Sequence, residues 1–242
     1  MTSKKIFQSR SLPLLVYDEL VSRIVAGAWK PGAMVASEAE LSAEFQVSVG
    51  TVRKALALLR EKHLIERRQG RGTFVVDHSL EATPVRFSNF YDSAGKRTSG
   101  EVVERIIEPA NCCSAEERRL LRVSSEHNCV QVHLVRTING VRFLSEDWVI
   151  SGDLFPGLTE EENFPHRITV IAQRYGVVLD HAVEEISMRP LTERAARDLN
   201  AKQGSPCMFL VRRTFALDNR MASVRKAFFI LPPDCKYRVT MR

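Results

Sequence analysis

Between Ser37 and Val76 the chain spells two short helices and a β-hairpin with almost no residues to spare. Ser37-Glu38-Ala39-Glu40 opens the first helix, with Ser37 at the N-cap and Glu40 three positions on, the spacing of a capping box. Leu41 and Phe45 are its apolar residues. Gln46-Val47-Ser48 breaks it, and Ser48 caps a second helix whose Val52, Ala55, Leu56 and Leu59 share one face. Two short helices joined by so brief a turn predict a helix-turn-helix. Leu64 to Arg68 and Thr73 to Val76 read as strands around the turn Gln69-Gly70-Arg71-Gly72, a hairpin placed where a wing belongs. In front of this unit, residues 12–28 read as a helix. Val16, Leu20 and Ile24 recur every four residues with Val21 beside them, and Gly27 and Pro31-Gly32 stop it.

The charge falls on the same stretch. Of a net +6, residues 1–78 hold +4, from twelve Lys/Arg against eight Asp/Glu. Within 53–72, Arg53, Lys54, Arg60, Lys62, Arg67, Arg68 and Arg71 face only Glu61 and Glu66. That excess is the footprint of a phosphate-binding surface. On charge alone, a solvated helix face without a partner fits equally. If the second helix lies in a major groove, its N-terminal turn sits nearest the bases. Thr51 then donates and accepts hydrogen bonds, Arg53 grips a guanine edge or a phosphate, and Lys54 takes phosphate. Gly70 and Gly72 let the wing turn tightly and project Arg71 toward a minor groove. The Ser37 hydroxyl and neighbouring N–H groups form a further phosphate position at a helix start.

The run Pro31-Gly32, Ser37-Glu38-Ala39-Glu40-Leu41, Phe45-Gln46-Val47-Ser48, Thr51-Val52-Arg53-Lys54-Ala55-Leu56 and Arg67-Arg68-Gln69-Gly70-Arg71-Gly72-Thr73-Phe74-Val75 resembles the N-terminal domain of GntR-family transcription regulators. The resemblance implies a winged helix-turn-helix over residues 1–76 that binds double-stranded operator DNA. It carries DNA contacts onto Ser37, Glu38, Ser48, Thr51, Arg53, Lys54, Arg68, Gln69, Gly70, Arg71 and Gly72. Two departures stand out: Ala39 replaces a usual arginine, and Ser48-Val49-Gly50-Thr51 replaces Ser-Arg-Thr-Thr. They imply an operator unlike the commonest one, with Arg53 and the wing carrying more of the binding, Val49 suited to a thymine methyl and Gly50 to a close backbone approach.

Residues 77–84 read as a linker, and 85–242 change to an α+β pattern of antiparallel strands and short helices. Strands are expected at 101–108, 130–137, 141–150, 182–189, 207–216, 223–230 and 237–241, and helices at 114–121, 168–175 and 192–199. Asn139-Gly140 marks a hairpin turn. Ser88-Asn89-Phe90, Val135-Arg136 with Asn139-Gly140, Glu146, Asp153-Leu154-Phe155-Pro156-Gly157-Leu158, Tyr175-Gly176 and Arg212-Arg213-Thr214 are similar to the UTRA effector-binding domain of the HutC-type branch. That resemblance implies a chorismate lyase-like antiparallel sheet with helices on one face, a homodimer on a two-fold operator, and a small-molecule effector. Its positions here are Asn89, Phe90, Arg136, Glu146, His166, Arg167 and Arg225. Where sugar-phosphate binders have Arg-x-Arg, this chain has Leu134-Val135-Arg136; His166 replaces a serine, Arg225 a glutamate and Leu231 a tyrosine. Arg136, His166, Arg167 and Arg225 together suit a carboxylate, so the expected effector is an organic acid or other small anion, aromatic acids included.

Other chemistry has little support. There is no HExxH, GxSxG, P-loop or GxGxxG, so no catalytic residues are assigned. A lyase-like enzyme fused to a DNA-binding module, or a nonspecific DNA binder, are the alternatives. The five cysteines are odd in number and hold no CxxC, which argues against disulfides and a cysteine-built zinc site. His127, Cys129 and His133 are weak metal evidence, and no metal or cofactor is expected. Adjacent Glu184 and Glu185 on a strand face opposite ways, and Glu160 to Glu162 read as a solvated loop. No uninterrupted apolar run exceeds the five residues of Ala227 to Leu231, against about 20 for a membrane helix. Met1 to Arg10 is polar and basic without an apolar h-region, so a cytoplasmic protein with no signal peptide is expected.

Overall fold

Three helices and a hairpin build the first unit from the caps the sequence supplies. α1 is Leu12–Val25, α2 Glu38–Phe45 and α3 Val49–Glu61, followed by β1, Ile65–Arg68, and β2, Gly72–Val75. In this computed structural model the described residues are 11–80, 85–108, 113–123, 129–160 and 164–240. The chain divides into units Met1–Thr83 and Pro84–Arg242. Linker positions 81–84, Cys112, His127, Glu161, Glu162 and Met241 lie outside the described residues, as does the basic N-terminal stretch 1–10.

The capping box is present: the Glu40 N–H donates to Ser37 Oγ at 3.2 Å and the Ser37 N–H to Glu40 Oε2 at 2.7 Å. α2 ends on Gln46, which is left-handed at φ 52°, and Ser48 then accepts from the Thr51 N–H. Val16, Tyr17, Leu20, Leu41, Val52, Ala55, Leu59, Ile65 and Val75 form one apolar core. Burying a fully enclosed leucine such as Leu20 or Leu59 contributes about 2 kcal/mol over leaving it in water. The hairpin is tied to the segment before α2, through the Val35 N–H to Thr73 oxygen bond at 2.8 Å and a Met34–Phe74 bridge. Helix α1 stops at Val25 rather than residue 28, because Gly27 is already left-handed at φ 72°.

The second unit is built on a six-stranded antiparallel sheet. Its strands are β5 (Glu101–Glu108), β6 (Cys129–Ile138), β7 (Val141–Ser151), β8 (Leu179–Pro190), β9 (Pro206–Ala216) and β10 (Met221–Phe229), in the order β5-β6-β7-β10-β9-β8. β3 (Phe90–Tyr91), β4 (Arg97–Thr98) and β11 (Lys236–Tyr237) make a small separate sheet. Two-residue strands carry too few residues to show a period, and β3 and β4 were not expected from the sequence. Of the last expected strand, 237–241, only Tyr237 is in a strand: it pairs with Phe90 in this small sheet, residues 238–240 are not strand, and 241 lies outside the described residues.

Helices cover both faces of the large sheet, not one. α5, Ile168–Arg174, packs on the face of Val132, Leu134, Trp148 and Ile150. α4, Ala115–Leu121, packs on the opposite face with Val149 and Val224, and α6, Glu193–Asp198, packs there with Phe228. The reason is in the central strands. β7 and β10 are buried on successive residues, so both faces need a cover. On the α6 side, His133 lies between Asp147 and Asp198 at 2.7 and 3.0 Å, and Ser145 donates to the same Asp198 oxygen. Cys113, Cys129, Cys207 and Cys235 are buried, and none of them is in a disulfide. Among the described residues, no helix is long and apolar enough to cross a membrane, and no cluster of His, Cys, Asp or Glu could hold a metal ion.

Candidate nucleic-acid interface and candidate effector cavity

In the first unit, α3 presents Val49, Gly50, Arg53 and Lys54 to solvent while Val52, Ala55 and Leu59 anchor it below. Thr51 is half-buried, its hydroxyl 2.9 Å from that of Ser48. Glu38, on the first turn of α2, takes both Arg53 Nε and Nη2 on one carboxylate oxygen at 3.1 and 2.9 Å. The Arg53 hydrogen bond holds the Glu38 carboxyl below the usual range, and Glu38 raises the guanidinium. These two expected DNA contacts are thus partners of each other, and the pair lies in the open at the front of the helix pair.

The wing's tip is exposed, with Gln69, Gly70, Arg71 and Gly72 all at the surface and Gly70 left-handed at φ 69°. Arg68 is turned back instead. It donates to Glu66 at 2.9 Å, and its guanidinium stands 4.6 Å from the Phe74 ring. An open groove between the helix pair and the wing is lined by Ser37, Glu38, Arg53, Arg60, Arg67, Arg68, Gly70 and Gly72. Arg60 and Arg67 were counted in the basic excess but not singled out as contacts. Arg67 stands two residues from buried Ile65, so the strand period places it on the same face of β1, where both line the groove with Arg53. At Ser37 the phosphate expectation narrows: its N–H is already taken by Glu40, so the hydroxyl proton is the donor that remains.

In the second unit, charge crosses the sheet in one row. Trp148 on β7 pairs with Arg225 on β10, Arg225 with Arg212 on β9, and Arg212 with Glu184 on β8. Strand alternation sends Glu184 inward to Arg212, while Glu185 points out to Arg213 at 2.7 Å. Arg136 on β6 joins the row from the side. Glu146 is its hub: one oxygen accepts from Arg136 Nε, and the other accepts the Trp148 indole N–H at 3.0 Å and pairs with Arg225. Burial works to raise the Glu146 carboxyl, but the Arg136 and Arg225 charges win and hold it below the usual range. Burial lowers Arg136, and burial with the Arg225 charge lowers Arg212 to about 10.

Above this row lies a cavity of about 40 Å³ lined by Val85, Phe87, Ser88, Ser99, Arg136, Trp148, His166, Arg167, Ile168, Thr169, Arg212 and Arg225. Three buried arginines (136, 212 and 225) meet one buried glutamate, Glu146, and the half-buried Glu184, so one positive charge is left over. Arg136 is enclosed to 1% exposure, yet its Nη1 has no hydrogen-bond partner among the described residues, and neither has Arg167 Nε. A buried donor left unmade costs about 1–3 kcal/mol, more when charged, which is a reason to expect an acceptor there.

The expected effector residues separate on inspection. Arg136, His166, Arg167 and Arg225 do line the cavity. Glu146 lies beneath it with both oxygens used. Phe90 is not at the cavity: it is a core residue, its ring 5.3, 5.1 and 5.4 Å from those of Phe143, Phe229 and Tyr237. Asn89 is not a wall residue either; its amide donates to Glu184 at 3.1 Å and sits 3.2 Å from the Tyr237 hydroxyl. It is the preceding Ser88 of the same motif that reaches the wall. Arg212 and Trp148 were not anticipated there. The apolar beat of Leu210 and the paired Arg212-Arg213 leave open which arginine faces in until the strand's phase is known.

His166 contributes differently from the expectation of a cationic ring. Although His166 is exposed, partial desolvation of its ring, then the charges of Arg136, Arg167 and Arg105, push its imidazole from 6.5 to about 4, so it is neutral at pH 7, while its carbonyl accepts Arg136 Nη2 at 2.7 Å. The lowered value fixes the sign of a pH effect. The unfolded chain takes up this proton first, so the stability tied to the neutral ring is whole above pH 6.5 and is lost as pH falls toward 4. His166→Asn keeps the carbonyl and should flatten the melting-temperature slope in that window. Equal slopes for the two proteins would contradict the assignment.

The family model for gntR-family bacterial regulatory proteins matches residues 14–75, and that for the UTRA domain matches residues 93–231. The mannosyl-D-glycerate transport/metabolism system repressor MngR of Escherichia coli strain K12 is 28% identical over 209 residues, covering 85% of this chain and 86% of that protein. The histidine utilization repressor of Pseudomonas putida is 25% identical over 232 residues, covering 94% and 90%. Among solved structures, the ligand-binding domain of a GntR-family regulator from Bordetella bronchiseptica aligns with a TM-score of 0.54 at 19% identity, over 66% of this chain and all 100% of the other.

Proposed function

The chain belongs to the GntR family of bacterial regulatory proteins and carries a UTRA domain, and from that premise we propose that it is a transcriptional repressor released from its operator by a small organic acid. DNA binding belongs to the winged helix-turn-helix and effector binding to the UTRA unit. The observation that supports the effector class is the unbalanced charge around the cavity, where the lining residue Arg136 has an unpartnered Nη1 among the described residues. A carboxylate satisfies both at once, because its two oxygens accept charge-assisted hydrogen bonds from guanidinium groups. Phosphate-sugar recognition lacks the second arginine of the usual pair, since Leu134 stands there. The volume of about 40 Å³ holds a carboxylate group and little more, so an aromatic acid requires the wall to move.

The same reading includes a homodimer in the cytoplasm, presenting two wings to a two-fold operator, because isologous pairing makes palindromic half-sites the natural target. Release requires that the effector bind one arrangement of the two reading heads better than the other. The role is regulatory, not catalytic: the carboxylates and histidine around the cavity are engaged in holding arginines or kept neutral.

The test is a titration with small carboxylates and with sugar phosphates, read by Trp148 fluorescence and by melting temperature. One or more carboxylates should saturate the protein. Arg136→Lys keeps the charge but removes the planar fork, and should weaken that ligand at least about tenfold. No saturable carboxylate, or a preference for sugar phosphates, would contradict the effector class.

A further inference from the structure

The small sheet has two unlike faces. Phe90 pairs with Thr98 on β4 and Tyr237 on β11, and its ring meets that of Tyr237 at 5.4 Å within the apolar core. Strand alternation sends the neighbouring residues the other way. Tyr91 pairs with Arg97 on one side and Lys236 on the other. Arg238 continues the register, its N–H donating to the Asn89 carbonyl at 2.9 Å. Two residues on from Lys236, it shares that outer face, which therefore holds one phenol among three bases.

The arginines close on the phenol. Arg97 Nε donates to the Tyr91 hydroxyl at 3.1 Å, and the Arg238 guanidinium stands 4.0 Å from the centre of its ring. Hydrogen bonding from Arg238, then Arg97, holds the phenol below its usual range. A hydroxyl that accepts from a guanidinium still has its own proton to donate. Tyr91 itself is buried, Arg97 half-buried, and Lys236 and Arg238 exposed. Acids do not balance this face. Elsewhere on the unit, surface bases sit beside carboxylates: Arg213 by Glu185, Arg220 by Asp218, Arg142 by Glu104 and Lys226 by Glu117. Arg97, Lys236 and Arg238 have no acidic partner among the described residues. Like charges gathered on one face repel each other, and an anion there relieves that repulsion.

The arrangement also selects the anion. The two guanidiniums converge on one phenol rather than running in a stripe, so a compact group gains more than an extended polyanion. Guanidiniums, an ammonium and a hydroxyl arriving from different strands call for more acceptor oxygens than the two of a carboxylate, and a phosphate supplies them. We propose that the outer face of the small sheet, Tyr91 with Arg97, Lys236 and Arg238, is a second anion site that takes the phosphate group of a small molecule. None of the four residues lines the effector cavity.

Inorganic phosphate is the probe, titrated into the full chain carrying tyrosine labelled with 13C at Cζ. The chain has four tyrosines, and the Tyr91 signal is the one lost in Y91F. That signal should shift saturably with phosphate and stay in place with sodium chloride at equal ionic strength. R97Q and R238Q should each weaken phosphate at least about tenfold, the scale of losing a hydrogen bond to a charged group. Melting temperatures confirm that the variants are folded, and R238Q, at an exposed position, keeps the test open if R97Q is unstable. Affinity for duplex DNA should be the same in both variants as in wild type. A Tyr91 signal indifferent to phosphate, or moved equally by chloride, would overturn the site. A response in Trp148 fluorescence alone would place the phosphate in the effector cavity and overturn it too. Weaker DNA binding in both variants would overturn the small-molecule assignment in favour of the DNA backbone.

Discussion

Glu146→Gln should destabilise the effector unit by about 3–5 kcal/mol, the cost of breaking a buried ion pair by removing one partner. The side chain is fully enclosed, and its two oxygens serve Arg136, Arg225 and the Trp148 indole. Glutamine keeps the shape and one acceptor but drops the charge. The excess then rises from one positive charge to two, since Glu184 alone faces Arg136, Arg212 and Arg225. Urea unfolding followed at Trp148 reads this directly, with Trp29 in the other unit as the internal comparison. A shift no larger than that of an ordinary surface substitution, within about 0.5 kcal/mol, would show that Glu146 is not the hub.

Arg53→Ala should weaken operator binding about ten- to a hundredfold and relax specificity at one position of each half-site, the range for losing a bidentate base contact. Arg53 projects from the first turns of α3, and Glu38 holds the Nε and Nη2 edge of its fork. The fold should not notice the change, because the side chain is 68% exposed. Binding to a panel of single-base operator variants distinguishes two roles. A loss concentrated at one base pair marks a base contact. Equal weakening on every sequence, with a shallower salt dependence, would show that Arg53 grips phosphate instead.

Much of the DNA-binding unit was legible because its signals are local. Ser37 with Glu40, and Ser48 with Thr51, announce helix starts within four residues, and Gly70 announces the wing turn by the conformation only glycine takes easily. What the sequence could not show was tertiary. That Met34 and Val35 join the hairpin, and that Arg68 folds back on Phe74, depend on chain segments meeting across the unit.

In the effector unit the long strands were legible from alternation, and the Asn139-Gly140 turn from its residues. The cavity was legible only by half. Arg136 and Arg225 carry charge on strands and drew attention for that. Arg212 was hidden by Arg213 beside it, and Trp148 by an apolar run that looked like core. Phe90 misled because a motif residue next to a site is as often its support: β3 begins only at Phe90, and Ser88 lies before it outside any strand, so Ser88 reaches the wall and Phe90 the core. The helices on both faces follow from β7 and β10, whose burial on successive residues became evident only with the sheet order.

The central claim is tested most directly by fluorescence anisotropy of DNA from the gene's own upstream region, titrated at fixed salt with unrelated duplex in excess, then with the carboxylate that saturates the cavity. Specific sites bind about 10³- to 10⁷-fold more tightly than nonspecific DNA, so binding should survive the competitor and be released by the carboxylate, and Arg136→Lys should resist release at wild-type effector concentrations. Binding that survives the competitor but is indifferent to every carboxylate, in wild type and variant alike, would contradict the account.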